Sequence, residues 1–238
     1  MIRIYHTSDL HDRRHIAAPL RRLRADRPGL LVDCGDSLRG SQTVYHMREP
    51  IVDELDAAGY DVTAIGNREF HYLFGLVGAR LRKMHHPVVC ANLVDVRGRT
   101  LPFAPDASLR ADGGEAVRFF GLLVPQYPSG SPWERVFGWR FLDPPAVAAE
   151  IARTTPAGVT LVALSHLGLH ADRALAAAVP QLDLILGGHS HDTTPQPEIV
   201  NGVPIVHAGP YGAFASRTEL VRDGDRARIA AFDLLPLT

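Results

Sequence analysis

Five short apolar runs along the chain each end in polar residues of the types that bind metal ions. The run from Leu182 to Leu186 leads through two glycines into His189 and His191. The other four runs cover residues 2–5, 30–33, 62–65 and 159–164. Short aliphatic runs bounded in this way predict strands that are covered on both faces. Because ligands of open α/β sheets bind beyond the carboxyl ends of the strands, we expect the five strand ends to converge.

The residues at these strand ends form one set of carboxylate, amide and imidazole groups. They are Asp9, His11, Asp36, Asn67, His166, His189 and His191. The set is too large for one tetrahedral structural zinc ion and suits two divalent ions that share a bridging ligand. Without a thiolate, it favours manganese foremost, with iron or zinc as alternatives. The structural alternative is that these residues cap helices or form turns, as Asp and Asn often do.

Composition places the chain in the range of one globular domain, covering residues 1–238. Of the 238 residues, 46% are hydrophobic and 21% charged, and the formal net charge of -1 gives no indication of nucleic-acid binding. The first strand begins at Ile2 without a signal peptide, and no segment reads as a membrane span, so we predict a cytoplasmic protein. Cys34 and Cys90 are predicted to be small buried residues and not a disulfide pair.

Strand and helix patterns alternate in the first third of the chain, which predicts a mostly parallel sheet. The predicted helices cover residues 15–25, 44–58, 70–84, 144–154 and 171–179. A hairpin is predicted at residues 112–114, and antiparallel strands at 203–235 with a turn at 223–225. Residues 125–139 predict a long loop, whose aromatic residues either stack on a base or, as we favour, fold the loop down. These aromatic residues are Tyr127, Trp133, Phe137 and Trp139.

At five places the sequence resembles the calcineurin-like metallophosphoesterases, and within them the catalytic domain of the 5′-nucleotidases. The matching motifs, all in the family's order, are Asp9-Leu-His11, Gly35-Asp36 followed by Gly40-Ser41, Gly66-Asn67-x-Glu69-Phe70, Ser165-His166-Leu-Gly168 and Gly187-Gly188-His189-Ser190-His191. The resemblance implies a four-layer α/β/β/α sandwich of two mixed sheets flanked by helices. It also implies two ions bridged by Asp36. One ion would be held by Asp9, His11, Asp36 and His191, and the other by Asp36, Asn67, His166 and His189.

The same resemblance implies that a hydroxide bridging the two ions attacks phosphorus in line. Where the family has Gly-Asn-His-Glu or Gly-Asn-His-Asp, however, this chain has Arg68 in place of the histidine that protonates the leaving group. A guanidinium neutralises phosphoryl charge but is a poor proton donor. The acid would then be His71, His170 or His207, or would be unnecessary for a good leaving group. We predict catalytic roles for Arg68, His71 and His170, and substrate contacts for Asn67, Arg68 and His207.

The predicted function is metal-dependent hydrolysis of a small phosphate ester, either a nucleotide or another phosphorylated metabolite. The C-terminal domain with which 5′-nucleotidases grip the base is expected to be absent, so phosphomonoesters and phosphodiesters both remain open. The alternative is a metal-bound scaffold or phosphate-ligand sensor in which Arg68 marks a lost acid. The complete ligand set argues against this alternative. No membrane or nucleic-acid partner is predicted, and the oligomeric state is left open.

Overall fold

The computed structural model describes residues 1–224 and 226–237. Asp225 in the predicted tail turn and Thr238 at the end of the predicted domain lie outside the described residues. The strands are β1 (Ile2–Thr7), β2 (Leu30–Asp33), β3 (Val62–Ala64), β4 (Val88–Val89), β5 (Leu93–Asp95), β6 (Asp106–Arg110), β7 (Ala116–Leu123), β8 (Trp139–Phe141), β9 (Thr160–His166), β10 (Leu184–Gly187), β11 (Glu198–Val200), β12 (Val203–His207), β13 (Phe214–Asp223) and β14 (Arg226–Pro236). The helices are α1 (Ala17–Asp26), α2 (Ile51–Ala58), α3 (Phe74–Leu81), α4 (Pro132–Phe137), α5 (Pro144–Thr154) and α6 (Leu169–Ala178).

Two six-stranded sheets of mixed direction form the centre of the molecule. In the first, of order β14-β13-β1-β2-β3-β4, strands β1 to β4 run parallel and β13 and β14 form an antiparallel extension. In the second, of order β11-β12-β10-β9-β7-β6, the four inner strands run parallel and both edge strands run antiparallel to them. Strands β5 and β8 form a separate antiparallel pair.

Three apolar clusters separate four layers of structure. One lies between the sheets and joins Ile4 of β1 to Phe119 of β7. A second joins Leu20 of α1 to Tyr5 of β1, and a third contains Leu175 of α6 together with residues of the second sheet. Successive residues of β1 thus face opposite layers, as the two-residue period of a strand requires. The helix, sheet, sheet, helix order confirms the predicted fold class and the burial of these strands on both faces.

The predicted helix 44–58 is wrong in its first half, since the helix begins only at Ile51. Pro50 explains the boundary, because proline fits the first turn of a helix but clashes with the preceding turn when it lies inside one. The loop before it is held by Arg80, a fully buried side chain that donates to the carbonyl oxygen of Ser41 at 2.8 Å. In this loop, a side chain therefore donates the hydrogen bond that a backbone N–H would donate to the carbonyl oxygen in a helix.

Other boundaries also differ from the predictions. Of the helix predicted at 70–84, only the part that forms α3 is helical. The predicted loop 125–139 contains helix α4, which is followed by Gly138 in a left-handed conformation. Strand β12 joins the second sheet parallel to β10, so only β13 and β14 form the antiparallel tail. The hairpin of β6 and β7 and the burial of both free cysteines are confirmed. Within the described ranges, no helix combines the length and apolar character needed to cross a lipid bilayer.

Candidate metal centre

The seven predicted ligands lie at the end of β9 and in the loops after β1, β2, β3 and β10, which meet at one edge of the sandwich. Five of these ligands hold a left-handed backbone with φ between 49 and 75°, namely Asp9, His11, Asp36, His189 and His191. This conformation costs a non-glycine residue on the order of 1–3 kcal/mol and tends to cluster at functional sites. Cross-loop hydrogen bonds hold it here, from Asp9 N to Gly35 O and from His11 N to Asp36 O, both at 2.9 Å.

One group of side chains consists of Asp9, His11 and His191. The Nε2 atoms of His11 and His191 lie 2.9 Å apart, and Asp9 Oδ1 lies 3.8 Å from the first and 3.5 Å from the second. Two ring nitrogens and a carboxylate oxygen thus point at one small volume. This arrangement provides three donor atoms for a single cation.

A second group consists of Asp9, Asp36 and His166. His166 Nε2 lies 3.4 Å from Asp36 Oδ1, while its Nδ1 donates to the carbonyl oxygen of Cys34 at 2.7 Å. A backbone acceptor on one ring nitrogen fixes the tautomer and orientation with which the other can bind a metal. The two groups share Asp9, whereas the family resemblance makes Asp36 the bridge.

Asn67 and His189 lie beside the second group. Asn67 Nδ2 is 3.3 Å from His189 Nδ1, and Asn67 Oδ1 accepts a hydrogen bond from Gln126 Nε2 at 2.9 Å. The backbone N–H of His189 donates to Asp9 Oδ2 at 2.9 Å, which ties the loop after β10 to the loop after β1. The structure therefore brings all seven predicted ligands into one contact network that spans both sheets.

The donor atoms fit a divalent cation. Twelve buried side-chain atoms of the described residues have no hydrogen-bond partner, and Asp9 Oδ1 and His166 Nε2 are two of them. Buried polar atoms without partners are rare because each carries a desolvation cost of about 1–3 kcal/mol. Both atoms belong to the groups described above, so one bound cation at each group would satisfy them. The mixture of nitrogen and oxygen donors suits manganese, iron or zinc.

Electrostatics prepares most of these groups for metal binding. Burial and the nearby Arg68 lower the pKa of His11 to about 4, and burial and His166 lower the pKa of His189, so both rings are neutral near pH 7. Burial acts against ionisation of Asp36, but His166 outweighs it and holds the pKa of that carboxyl well below its usual range. His166 itself has a pKa raised to about 9, because Asp36 overcomes the effect of burial. A cation bound there therefore displaces a proton.

Glu69 is a supporting residue whose role the sequence did not predict, although it lies in a matching motif. Its side chain is fully buried, and Oε2 accepts from Asp36 N at 2.8 Å and from Gly66 N at 2.9 Å. Oε1 accepts from Ser37 N at 3.0 Å and from Leu38 N at 3.1 Å. One carboxylate thus connects the loops that follow β2 and β3, and it fixes the backbone that carries Asp36.

The glycine pair before His189 is required for space and not for turning. A Cβ atom on Gly187 would lie 2.1 Å from His207 Nε2, and one on Gly188 would lie 2.8 Å from Asp9 Oδ2. The left-handed backbone of this segment occurs at His189 and His191, which follow the glycines. Glycine here lets the end of β10 approach both a metal-site carboxylate and a buried imidazole.

Comparison with known proteins assigns the family. The profile described as calcineurin-like phosphoesterase matches residues 2–193. The chain belongs to this family. It is 30% identical over 236 residues to the uncharacterized metallophosphoesterase YunD of Bacillus subtilis, a match that covers 93% of this chain and 50% of the relative. It is 28% identical over 227 residues to the 5′-nucleotidase of Rattus norvegicus, which covers 82% of this chain and 38% of that protein.

A solved structure gives the same result for the fold. The 5′-nucleotidase precursor of Thermus thermophilus superposes with a TM-score of 0.80 at 27% identity, covering 99% of this chain and 54% of that one. This calcineurin-like phosphoesterase chain therefore spans about half the length, or less, of these three proteins.

Arg68 lies at the rim of the calcineurin-like site. Its backbone N–H donates to Asp36 Oδ1 at 2.8 Å, and its side-chain Nε lies 4.0 Å from Asp36 Oδ2. Its Nη1 donates to the carbonyl oxygen of Arg39 at 3.2 Å. The guanidinium is thus held above the central carboxylate and does not pair with Glu69, whose oxygens accept from backbone N–H groups.

His71 and His170, the other predicted catalytic residues, have different surroundings. His71 is buried, and its Nδ1 accepts from Leu73 N at 2.9 Å. Burial and the nearby Arg80 lower its pKa, with the Thr43 carbonyl opposing them. His170 is exposed in the first turn of α6. Of these two histidines, only His170 is exposed to solvent.

His207, a predicted substrate contact, lies in a buried network beneath the site. Its side chain is fully buried, and its Nε2 lies 2.7 Å from Asp172 Oδ2. Asp172 also accepts a hydrogen bond from the hydroxyl of Ser165, the residue before His166. Direct contact between His207 and a substrate is not supported by this placement. The residue instead belongs to the packing that supports β9 and β10.

Tyr211 is a rim residue that the sequence analysis missed. Its ring centroid lies 5.3 Å from that of His11 and 5.4 Å from that of His191, and its backbone N–H donates to Asp9 O at 2.8 Å. Its backbone is left-handed and its ring is exposed. Arg13 lies over the ring with its Cζ 6.0 Å from the centroid. No motif marks position 211, because only the fold brings the loop after β12 to the site.

Proposed function

We propose that this chain hydrolyses a small phosphate ester in a reaction that depends on two divalent cations. The observation that carries the proposal is the meeting of seven nitrogen and oxygen ligands at the strand ends, with buried donor atoms that lack a hydrogen-bond partner among the described residues. Membership of the calcineurin-like phosphoesterase family supports the same chemistry, and 5′-nucleotidases among the relatives support a phosphomonoester of the nucleotide type.

The ligands divide between two ions, of which manganese is our first choice and iron or zinc the alternatives. Asp9, His11, Asp36 and His191 would hold one ion, and Asp36, Asn67, His166 and His189 the other. Divalent cations in such a site supply Lewis acidity toward the phosphate and a nucleophile at neutral pH. Glu69 accepts hydrogen bonds from the backbone N–H groups of Asp36 and Ser37 and thereby keeps Asp36 in position for both ions.

The protein's own side chains then set which esters react. Arg68 neutralises charge on the phosphoryl oxygens from its place above Asp36 but does not donate a proton. His71 and His207 are buried and hydrogen-bonded within the protein, which leaves His170 as the accessible candidate acid. We therefore expect esters with good leaving groups to be hydrolysed fastest, because they need little help from an acid.

The test is turnover of an aryl phosphomonoester and an aryl phosphodiester by the purified chain loaded with Mn²⁺. We expect hydrolysis of at least one of them, loss of activity on chelation, and a strong reduction in Asp36→Asn. Asp26→Asn, the same change at an exposed position on α1, is the control and should retain activity. Binding of phosphate esters without hydrolysis of any member of a broad panel would overturn the proposal and favour the sensor function.

A further inference from the structure

A cavity with aromatic walls lies beside the candidate metal centre. Its volume is about 320 Å³, and it is lined by Tyr72, Gln126, Tyr127, Trp133 and Phe137. Pockets for small organic ligands begin at roughly this size and are lined mostly by apolar and aromatic groups with few polar ones. Gln126 is the one lining residue without an aromatic ring, and no lining residue carries a formal charge. The cavity is therefore suited to a flat uncharged ring and not to a phosphate.

The rings in the wall are nearly parallel to one another. Trp133 and Phe137 have centroids 5.7 Å apart at an interplanar angle of 16°, and Phe137 and Tyr72 have centroids 4.6 Å apart at 27°. Trp133 stands at the outer end of this stack and is 53% exposed. Because aromatic rings prefer offset stacking on further rings, the half-exposed Trp133 can stack with one more ring where it lines the cavity.

The cavity is connected to the metal centre through Gln126. Its Nε2 donates to Asn67 Oδ1 at 2.9 Å, and its Oε1 accepts from Gln42 Nε2 at 3.0 Å. Gln126 therefore lines the cavity while it contacts a predicted metal ligand. A molecule that placed its phosphate at the metal centre could extend directly along Gln126 into the aromatic cavity.

Packing alone accounts for only part of the aromatic cluster. Tyr127 is buried, and its hydroxyl donates to the carbonyl oxygen of Trp139, which is itself fully buried. These two residues fold the segment down, as the sequence analysis favoured. Trp133 is not needed for that role, because it lies on α4 with about half of its surface exposed.

We propose that the cavity binds an aromatic ring carried by the leaving group of the phosphate ester, a ring of the nucleobase or aryl class. The proposal rests on the proposed function for the position of the phosphate. Trp133 would stack on the aromatic part of the substrate, and Gln126 would lie between this ring and the metal centre.

The test compares two monoesters, adenosine 5′-monophosphate and glycerol phosphate, in the Mn²⁺-loaded protein. Stacking of a base on an aromatic side chain is typically worth fivefold or more in affinity, so Trp133→Ala should lower the ratio of the two kcat/KM values by about fivefold or more. The change should appear mainly in KM. Trp133→Phe should restore most of the ratio. Val136→Ala, on the same helix and 57% exposed but outside the cavity, should leave the ratio at its wild-type value.

A second measurement separates failure of this proposal from failure of the proposed function. Adenosine, which has no phosphate, should quench the fluorescence of the wild-type protein through the exposed Trp133. In Trp133→Phe the remaining tryptophan is the buried Trp139, and adenosine should not quench it. Quenching in a protein that hydrolyses no ester would retain the cavity and reject the hydrolase. Absence of quenching, together with equal effects of Trp133→Ala on both esters, would overturn the cavity proposal.

Discussion

At the scale of single residues, the centre combines expected ligands with an unexpected neighbour. Arg68 stands where the family resemblance places a proton-donating histidine, and its Nε lies 4.0 Å from Asp36 Oδ2. A guanidinium at this point can neutralise phosphate charge but leaves the departing oxygen without a proton from this position. The residue is therefore expected to limit esters with poor leaving groups more than those with good ones.

Arg68→His should change this selectivity. A general acid typically contributes about 10²–10⁴-fold, so hydrolysis of an alkyl phosphate should rise relative to that of an aryl phosphate by tenfold or more in this variant. Steady-state rates on the two esters measure the ratio. Arg68→Lys, which keeps a positive charge without the imidazole, is the control and should keep the wild-type ratio. An unchanged ratio in Arg68→His would show that the side chain at position 68 does not set leaving-group preference.

The convergence of the seven candidate ligands could be predicted from the sequence because each lies at or shortly after the end of an apolar strand. Tyr211 and Gln126 could not, since neither lies in a motif and their nearness to the ligands depends on how distant loops fold. His207 shows the reverse case, because a histidine at a strand end proved to be buried against Asp172. Position at a strand end predicts nearness to the site but not the direction in which the side chain points.

At the scale of elements, two buried carboxylates hold the loops after the first three strands. Glu69 accepts four backbone N–H groups, and Asp33 at the end of β2 accepts from Thr7 Oγ1 at 2.7 Å, from Gly35 N at 2.8 Å and from Ser37 Oγ at 2.9 Å. The convergence of the strand ends followed from the sequence. These carboxylates did not, because a hydrogen bond to a backbone N–H leaves no pattern in a single sequence.

Glu69→Gln should weaken both folding and metal binding. The amide NH₂ would face two backbone N–H groups in place of an acceptor, which should lower the free energy of unfolding by about 2–3 kcal/mol. Disturbed support of a metal ligand typically costs about 10–100-fold in metal affinity. Urea unfolding and Mn²⁺ titration measure the two effects. Glu198→Gln, the same change in an exposed pair with Arg173, is the control, and equal behaviour of the two variants would contradict the supporting role.

Asp33→Asn should change how stability depends on pH. Burial raises the pKa of Asp33 from 3.8 to about 7, so the folded protein holds a proton between about pH 4 and 7 that the unfolded chain releases. The contribution of this carboxyl to stability is full at low pH and is lost as pH rises toward 7. Asparagine cannot ionise, so the free energy of unfolding of the variant minus that of the wild type should increase across this window.

The increase should reach on the order of a few kcal/mol by pH 7. Denaturant unfolding at several pH values in the presence of a chelator measures the difference without a contribution from metal binding. Asp26→Asn, the same substitution at an exposed position, is the control for the effect of the substitution itself. A difference that is constant or falls with pH for Asp33→Asn would contradict the assignment.

At the scale of the whole molecule, the candidate centre joins the two sheets. His189 N of the second sheet's loop donates to Asp9 Oδ2 of the first, His166 Nδ1 donates to Cys34 O, and the Cys34 thiol donates to Leu186 O at 3.1 Å. Cations shared by Asp9, Asp36 and the histidines would therefore cross-link the layers. Ions that bind only the folded protein also stabilise it, by about 2.7 kcal/mol at a concentration 100 times Kd.

The thermal midpoint of unfolding should accordingly rise with Mn²⁺ concentration and fall when a chelator is added. Differential scanning calorimetry over a range of free Mn²⁺ measures the shift. Mg²⁺, which prefers oxygen ligands and retains its waters, is the control cation and should shift the midpoint less. A midpoint that does not respond to Mn²⁺ would contradict the expectation that bound ions cross-link the two sheets.

The most direct test of the account is the number of divalent ions retained per chain after loading with Mn²⁺ and removal of excess metal, measured by elemental analysis. We predict two ions per chain in the wild type and fewer in Asp36→Asn, with Asp26→Asn unchanged. Retention of no ions by the wild type, or of equal numbers by the wild type and Asp36→Asn, would contradict the assignment of the converging strand ends as a two-ion centre.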